Sequence, residues 1–401
     1  MTRTEQLLAE LVALPSVNPA FAPASARGAA SGRPAGRIFG EQKVADFLAA
    51  KAAQAGLDVE FQKVFSGRAN LIARLLPKNK SRQTVLLAPH LDTVVADDSQ
   101  FVPRRRNGRL YGRGACDTKG SVAAMITALG ELAQSKSRPQ ETEIIFAGLV
   151  DEEHAQAGSR ALAGRLSVLG ITRKETRGRD TRATATLAIV GEPTRLQLVT
   201  AHKGSLWLQL ETRGRAAHGA TPHLGRNAVH EMARVVDFLE TDYAKQLRRR
   251  KHPLLGAATV NVGQISGGTQ PNIVPAACTI LVDRRTLPGE SEAGVCREIG
   301  ARLRARNLRV KISNTKIAPA LPLETKMALP LVRHFLRSLG QTRPIGVDYF
   351  CDAAVLADAG IPSVVFGPGD IAQAHTADEW ISLAELERGK NRLLQFLKSL
   401  P

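Results

Sequence analysis

Long apolar runs are missing from this chain. No stretch approaches the roughly 18 consecutive apolar residues of a membrane-spanning helix, so no span and no membrane partner are expected. The N-terminal "MTRTEQLLAELVALPSVNP" spaces its leucines helically, but Glu5 and Glu10 interrupt it. That argues against a secretory signal and for a cytoplasmic protein. Cysteine is scarce: Cys116, Cys278, Cys296 and Cys351 are scattered without C-x-x-C spacing. They fit reduced thiols better than a disulfide frame or a zinc ribbon. Aromatics are only 4% of the residues, leaving few platforms for stacked bases. Acid is in deficit too, with 55 Lys and Arg against 37 Asp and Glu and a net charge of +18. Nucleic acid is the partner such a charge suggests. The basic residues are nevertheless spread out, clustering only at Arg104 to Arg106 and Arg248 to Lys251. No nucleic-acid partner is expected, and an arginine-rich background accounts for the charge.

At 401 residues the chain is too long for one ordinary domain. Helical spacing predicts helices near residues 5–14, 40–56, 118–135 and 383–400. Residues 18–37, rich in Ala, Gly, Pro and Ser, read as a long loop. Alternating or apolar runs predict strands at "DVEFQKV", "ANLIARLLP", "VLLA", "TEIIFAGLV" and "ATLAIV". The texture then changes to the order β, α, β, β, α, which suits a small α+β layer with one helical face. Long helices and short apolar strands return after about residue 316. We therefore expect an α/β domain, residues 1–196 and 316–401, split by an insert of residues 197–315.

The acids and histidines cluster at strand ends. His90 and Asp92 follow "VLLAP"; Asp117 lies in the tight turn "LYGRGACDTKG"; Asp151, Glu152 and Glu153 follow "IIFAGLV"; Glu192 follows "TLAIVG"; His375 comes after "SVVFGPGD". Open α/β sheets gather their chemistry at such ends. Each has a plainer reading: Asp117 suits a helix N-cap, Glu152 and Glu153 suit exposed loop acids, and His375 a surface histidine. Together, two imidazoles and several carboxylates suit a pair of borderline divalent cations such as Zn²⁺, with Asp117 as the shared ligand. Asp92 is placed to accept the second N–H of His90. Of the Glu152/Glu153 pair, one points to metal and the other serves as general base.

"APHLDTV", "YGRGACDTKG", "VDEEHAQAGSRAL", "GEPT" and "VVFGPGDIAQAHTADEW" resemble the motifs of one metallopeptidase family. It is the family of acetylornithine deacetylase, succinyl-diaminopimelate desuccinylase, aminoacylase-1 and glutamate carboxypeptidase. The resemblance implies a zinc-exopeptidase-like sheet flanked by helices, with an inserted α+β lid and dimerisation domain, and hence a homodimer. It implies two Zn²⁺, with Co²⁺ able to substitute, held by His90, Asp117, Glu153, Glu192 and His375. Asp92 becomes the partner of His90, and Glu152 the base. In "GRAAHGATPHLGRNAV", His218 takes the place of an oxyanion-stabilising histidine. In "GGTQPNIVPAACTILVDRR", Asn272 and one of Arg284 or Arg285 take substrate-binding places, the D-x-R pattern favouring Arg285. Gly367 is a further substrate-binding candidate. His154, His202, His223, His230, His252 and His334 match no catalytic place.

The implied reaction is hydrolysis of a linear amide. Glu192 matches the deacetylases and desuccinylases, whereas the peptidase branches often carry Asp there. "GRGACDTKGS" and "VDRRTLPGE" look most like the acetylornithine deacetylase group. An N-acyl-L-amino acid is the expected small-molecule partner, N-acetylornithine the specific one, in arginine biosynthesis or acyl-amino acid turnover. A desuccinylase, a dipeptidase or carboxypeptidase, and a metal-dependent binding protein without activity are the alternatives.

Overall fold

The computed structural model describes residues 1–22, 39–168 and 185–401. Most of the loop expected over 18–37 lies outside the described residues. The chain divides into two compact units: residues 1–200, 325–345 and 351–401 form one, and residues 201–324 with 346–350 the other.

The main sheet of the first unit contains, in chain order, β1 (Asp58–Phe65), β2 (Arg68–Leu75), β3 (Gln83–Leu87), β4 (Thr142–Gly148) and β5 (Ala185–Val190). With the late strand Ser363–Val365 they order as β1, β2, β4, β3, β5 and the late strand. β3 is parallel to both β4 and β5, placing Leu87 opposite Phe146 on one side and Ile189 on the other. The late strand runs parallel to β5, and β1 and β2 add on antiparallel. Parallel strands covered on both faces need continuous apolar sequence, which "VLL", "IIFA" and "LAIV" supply. The consequence for function is positional: the carboxyl ends of β3, β4 and β5 open side by side.

Helices α1 (Arg3–Val12), α2 (Gln42–Gln54), α3 (Lys119–Ala133) and α4 (Ala157–Val168) accompany this sheet, with the C-terminal helix Leu383–Lys398. Val122, Met125, Ile126 and Leu129 of α3 are buried as their spacing predicts. So are Ala123, Ala124 and Ala128, because α1 and the C-terminal helix press on the other side of α3. The start of α1 is fixed by Thr2, whose side chain accepts from the Glu5 N–H at 3.1 Å.

One strand group escaped the sequence reading. Arg104–Arg106 pairs with Arg109–Tyr111, which pairs with Trp380–Ser382. The arginine run disguises a strand whose inward anchors, Leu110 and Ile381, come from its neighbours and are buried.

The second unit is an antiparallel sheet of β6 (Gly204–Arg213), β7 (Thr259–Gly267), β8 (Ala277–Thr286) and β9 (Lys311–Asn314), ordered β7, β8, β6, β9. Cys278, Ile280, Val282 and Arg284 alternate inward along β8. Helices α5 (Ala228–Phe238) and α6 (Glu292–Arg304) cover that face with Met232, Val235 and Phe238, and with Val295, Ile299 and Leu303. This is the expected order of elements with β9 added at the edge. The unit extends to residue 324 and takes back residues 346–350, beyond the expected boundary at 315. Among the described residues no helix is long and apolar enough to cross a membrane.

Candidate metal centre

The centre begins just past β3. His90 forms a parallel bridge with Leu149, and its Nδ1 lies 3.0 Å from the Asp92 backbone carbonyl. A donor at Nδ1 fixes the tautomer and leaves the Nε2 lone pair for a cation. The Asp92 carboxylate was expected to take that N–H; its Oδ1 stands farther off, at 3.4 Å. It has other partners. Oδ1 accepts from the Glu152 N–H at 3.1 Å, and Oδ2 from the Glu153 N–H at 3.1 Å and Asn18 Nδ2 at 2.7 Å. Asp92 thus ties the turn carrying the two glutamates to the end of β3. Asn18 also donates to Asp151 Oδ1 at 3.0 Å, and Arg68, paired with buried Glu41 at 2.6 Å, reaches the same oxygen at 3.3 Å. None of Asn18, Glu41 and Arg68 was singled out from sequence, since lone polar residues in an unaligned chain carry no spacing signal.

Two triads share Asp117. His90, Asp117 and Glu192 offer donor atoms within 4.8 Å of one another, as do Asp117, Glu153 and His375. His90 Nε2 lies 3.1 Å from Asp117 Oδ1 and 3.8 Å from Glu192 Oε1. His375 Nε2 lies 3.3 Å from Asp117 Oδ2 and 3.2 Å from Glu153 Oε1. The two oxygens of one carboxylate therefore face the two imidazoles separately. Asp117 is not the N-cap of α3: Thr118 holds that position, without a side-chain capping bond. His375 reaches its place from a left-handed backbone, φ +62°, unusual for a residue with a side chain. Gly112, at φ +149°, opens the turn that leads to Asp117, and a Cβ there would fall 2.4 Å from Val12 Cγ1.

The electrostatics ask for cations. Burial raises the Glu152 carboxyl well above its usual range, with Glu192, Asp352 and Glu153 adding and His90 opposing. Burial likewise lifts Glu192, reinforced by Asp117, Asp352 and Glu153 against His90. Glu153 is raised by burial against the hydrogen bond from His375. Burial would lower the His90 imidazole, yet Asp117 and Asp92 hold it well above its ordinary value. Asp117 and Glu153 push His375 up to about 10. Carboxylates, Asp117, Glu152, Glu153 and Glu192 among them, thus outnumber the two imidazoles, an excess of negative charge that a pair of dications offsets. The mixed N and O donor set fits Zn²⁺. Glu152 belongs to neither triad.

Gly367 is locked in place. Its N–H donates to Thr194 Oγ1 at 3.2 Å, its carbonyl accepts from Leu196 N at 3.1 Å, and a Cβ would fall 2.5 Å from the Glu192 carbonyl. The remaining candidates belong to the second unit. His218 is exposed and its Nδ1 accepts from the Ala220 N–H at 3.1 Å, which places its proton on Nε2. A bridge between His218 and Ile273, and a 2.7 Å bond from Gly219 N–H to the Asn272 carbonyl, bring those two segments side by side. Arg284 and Arg285 have opposite fates. Arg284 is 0% exposed and bonds to Glu290 at 2.5 Å and Tyr243 at 3.3 Å. Arg285 is half-buried, 2.9 Å from Asp283, with its guanidinium 6.0 Å from the Phe350 ring centre.

Comparison with known proteins agrees on one family. The sequence pattern of peptidase family M20/M25/M40 matches residues 86–399. A curated relative, acetylornithine deacetylase of Myxococcus xanthus, is 30% identical over 361 residues, covering 86% of this chain and 88% of its own. The acetylornithine deacetylase of Proteus mirabilis is 29% identical, covering 98% of this chain and 96% of its own. Among solved structures, aminopeptidase PepT from Bacillus cereus has a TM-score of 0.75 at 22% identity, covering 99% of this chain and 97% of its own. Bacillus subtilis YXEP, a dinuclear metal-binding peptidase from the M20 family, gives 0.68 at 12% identity with 99% and 97% covered. Those structural likenesses speak for the fold. The matched sequence pattern decides the family: this chain is a hydrolase belonging to peptidase family M20/M25/M40.

Proposed function

We propose that this hydrolase is a two-zinc enzyme that releases the acyl group from an N-acyl-L-amino acid, N-acetylornithine being its expected substrate. The observation that carries the reading is the pair of triads sharing Asp117 with Glu152 alongside. The deacetylase names of relatives near 30% identity over most of the chain support the substrate class. His90 and Glu192 would hold one cation, Glu153 and His375 the other, and Asp117 both. Bound there, the pair would polarise the scissile carbonyl and acidify water toward a pKa of about 7. Glu152 takes the proton of the attacking water and returns it to the departing nitrogen, so that amide and water become amine and carboxylate. His218 donates from Nε2 to the carbonyl oxygen as negative charge develops on it. Arg285 holds the substrate carboxylate and Asn272 adds a second contact to the substrate; Arg284 has no guanidinium face left to offer. A homodimer through the second unit and a cytoplasmic location belong to the same proposal.

A second reading, peptidase activity on dipeptides or tripeptides, is favoured by the structural neighbours, which include an aminopeptidase and a tripeptidase. A panel of N-acetylornithine, N-succinyl-diaminopimelate, N-acetylmethionine and glycyl dipeptides, each with Zn²⁺ or Co²⁺, separates the two. Turnover is expected with the acylated amino acids, and cleavage of dipeptides alone would transfer the assignment to the peptidases. Cation uptake without turnover of any amide would leave a binding protein.

A further inference from the structure

Glu379 stands four residues beyond His375 and is 1% exposed. Its carboxylate is surrounded by donors from the turn that carries Asp117. Oε2 accepts from Arg113 Nη1 at 2.8 Å and from the Gly114 N–H at 3.0 Å. Oε1 accepts from the Cys116 N–H at 2.8 Å and the Asp117 N–H at 3.0 Å. The Glu379 backbone carbonyl accepts from Gly112 N–H at 3.0 Å. One residue therefore receives five hydrogen bonds from residues 112–117, three of them from backbone N–H groups to the carboxylate. Charge-assisted bonds of this kind are the stronger ones, and inside a buried site they fix a loop rather than merely satisfy it.

The connectivity gives the contact its meaning. Asp117 comes from the turn before α3, whereas His375 comes from a segment more than 250 residues later in sequence. Glu379 belongs to that later segment and bonds directly to the Asp117 backbone. We propose that Glu379 is a positioning residue: it holds the Asp117 carboxylate between His90 and His375 and thereby sets the spacing of the two cations. The inference rests on the two-cation reading of the centre. It requires a carboxylate at this position. Glutamine of the same shape turns an NH₂ toward N–H donors, and aspartate is one methylene too short to reach them all.

The test uses Mn²⁺, whose paired ions report their bridging by electron paramagnetic resonance. The full-length protein is stripped of metal and titrated with two equivalents. Wild type is expected to bind both and show a spin-coupled pair. In Glu379→Gln, each cation keeps two ligands of its own, His90 with Glu192 and His375 with Glu153. The first equivalent should therefore bind within about threefold of wild type, while the second weakens about 10–100-fold and the coupled signal is lost. The metal-free melting temperature should stay within about 3 °C of wild type. A variant that keeps both the second affinity and the coupling overturns the proposal. So does one that loses both equivalents in parallel with a large drop in metal-free melting temperature, which would mark a general structural role. If wild type itself takes up one cation, or two without coupling, the two-cation reading has failed, and the role of Glu379 with it. Should Glu379→Gln not fold, Glu379→Asp keeps the charge and is read by the same two measurements.

Discussion

Glu152 and Glu153 are neighbours with different surroundings. Glu153 is within 3.2 Å of His375, while Glu152 sits outside both triads with its carboxyl raised by burial and by Glu192. Glu152→Gln should therefore keep two bound cations by metal analysis and lose about 10²–10⁴-fold in kcat. A rate near that of wild type would remove it as the base. His202 offers a test of stability instead. It is 0% exposed, its Nδ1 lies 2.9 Å from the Lys203 carbonyl, and burial lowers its pKa from 6.5 to about 4. Well above pH 6.5 neither folded nor unfolded chain protonates it. As pH falls toward 4 the unfolded chain gains a proton that the folded one refuses, so stability is lost over that window. The loss between pH 6.5 and 5 is about 2 kcal/mol. His202→Gln should shrink the drop in melting temperature between pH 7 and pH 5, and an unchanged drop would show that His202 is not its source.

At the scale of elements, the β4 end and the β3 end are joined through Asn18. Its amide serves Asp92 and Asp151 together, so Asn18→Ala leaves two buried carboxylates short of a donor. We expect a stability cost of about 1–3 kcal/mol and cation binding about 10–100-fold weaker, measured by thermal melts and Zn²⁺ titration. Wild-type values for both would mean that Arg68 and the backbone N–H groups suffice. In α3, Leu129→Ala should cost about 2–5 kcal/mol because the helix is covered on both sides and cannot collapse onto the gap. The elements themselves were readable where apolar periodicity was strong. Residues 185–190 form a strand just as "ATLAIV" indicates, and α3 falls within the expected 118–135. Arg104–Arg106 was not readable, because the side chains that anchor that small sheet belong to residues 110 and 381.

For the molecule as a whole, binding should be coupled to protons and to folding. Without cations, His375 carries a proton up to about pH 10 through Asp117 and Glu153, and ligation displaces it. Zn²⁺ affinity should therefore rise as pH increases across the neutral range, with proton release seen as a buffer-dependent heat in calorimetry. Heats independent of buffer ionisation would contradict this. Chelation should lower the melting temperature and added Zn²⁺ restore it in a saturable way, since cations that bind only the folded chain stabilise it by mass action. The division into two units has a similar dependence on the whole. The change of texture near residue 197 predicts an insert, and the second unit comprises residues 201–324 with 346–350; a segment as short as the last has no composition signal of its own.

Sequence alone determined which candidate ligands the chain offers and their order, because imidazoles and carboxylates at the ends of apolar strands can be counted along a chain. It also determined the family, through motifs spread from His90 to Glu379. Tertiary structure decided which atoms face which. It turned the Asp92 carboxylate toward the Glu152 and Glu153 backbone, buried Arg284 against Glu290 while leaving Arg285 more open, and brought Glu379 onto the Asp117 turn. Hydrogen bonds between segments remote in sequence have no period, so nothing in the linear order announces them. They appear only when burial forces each polar group to find a partner.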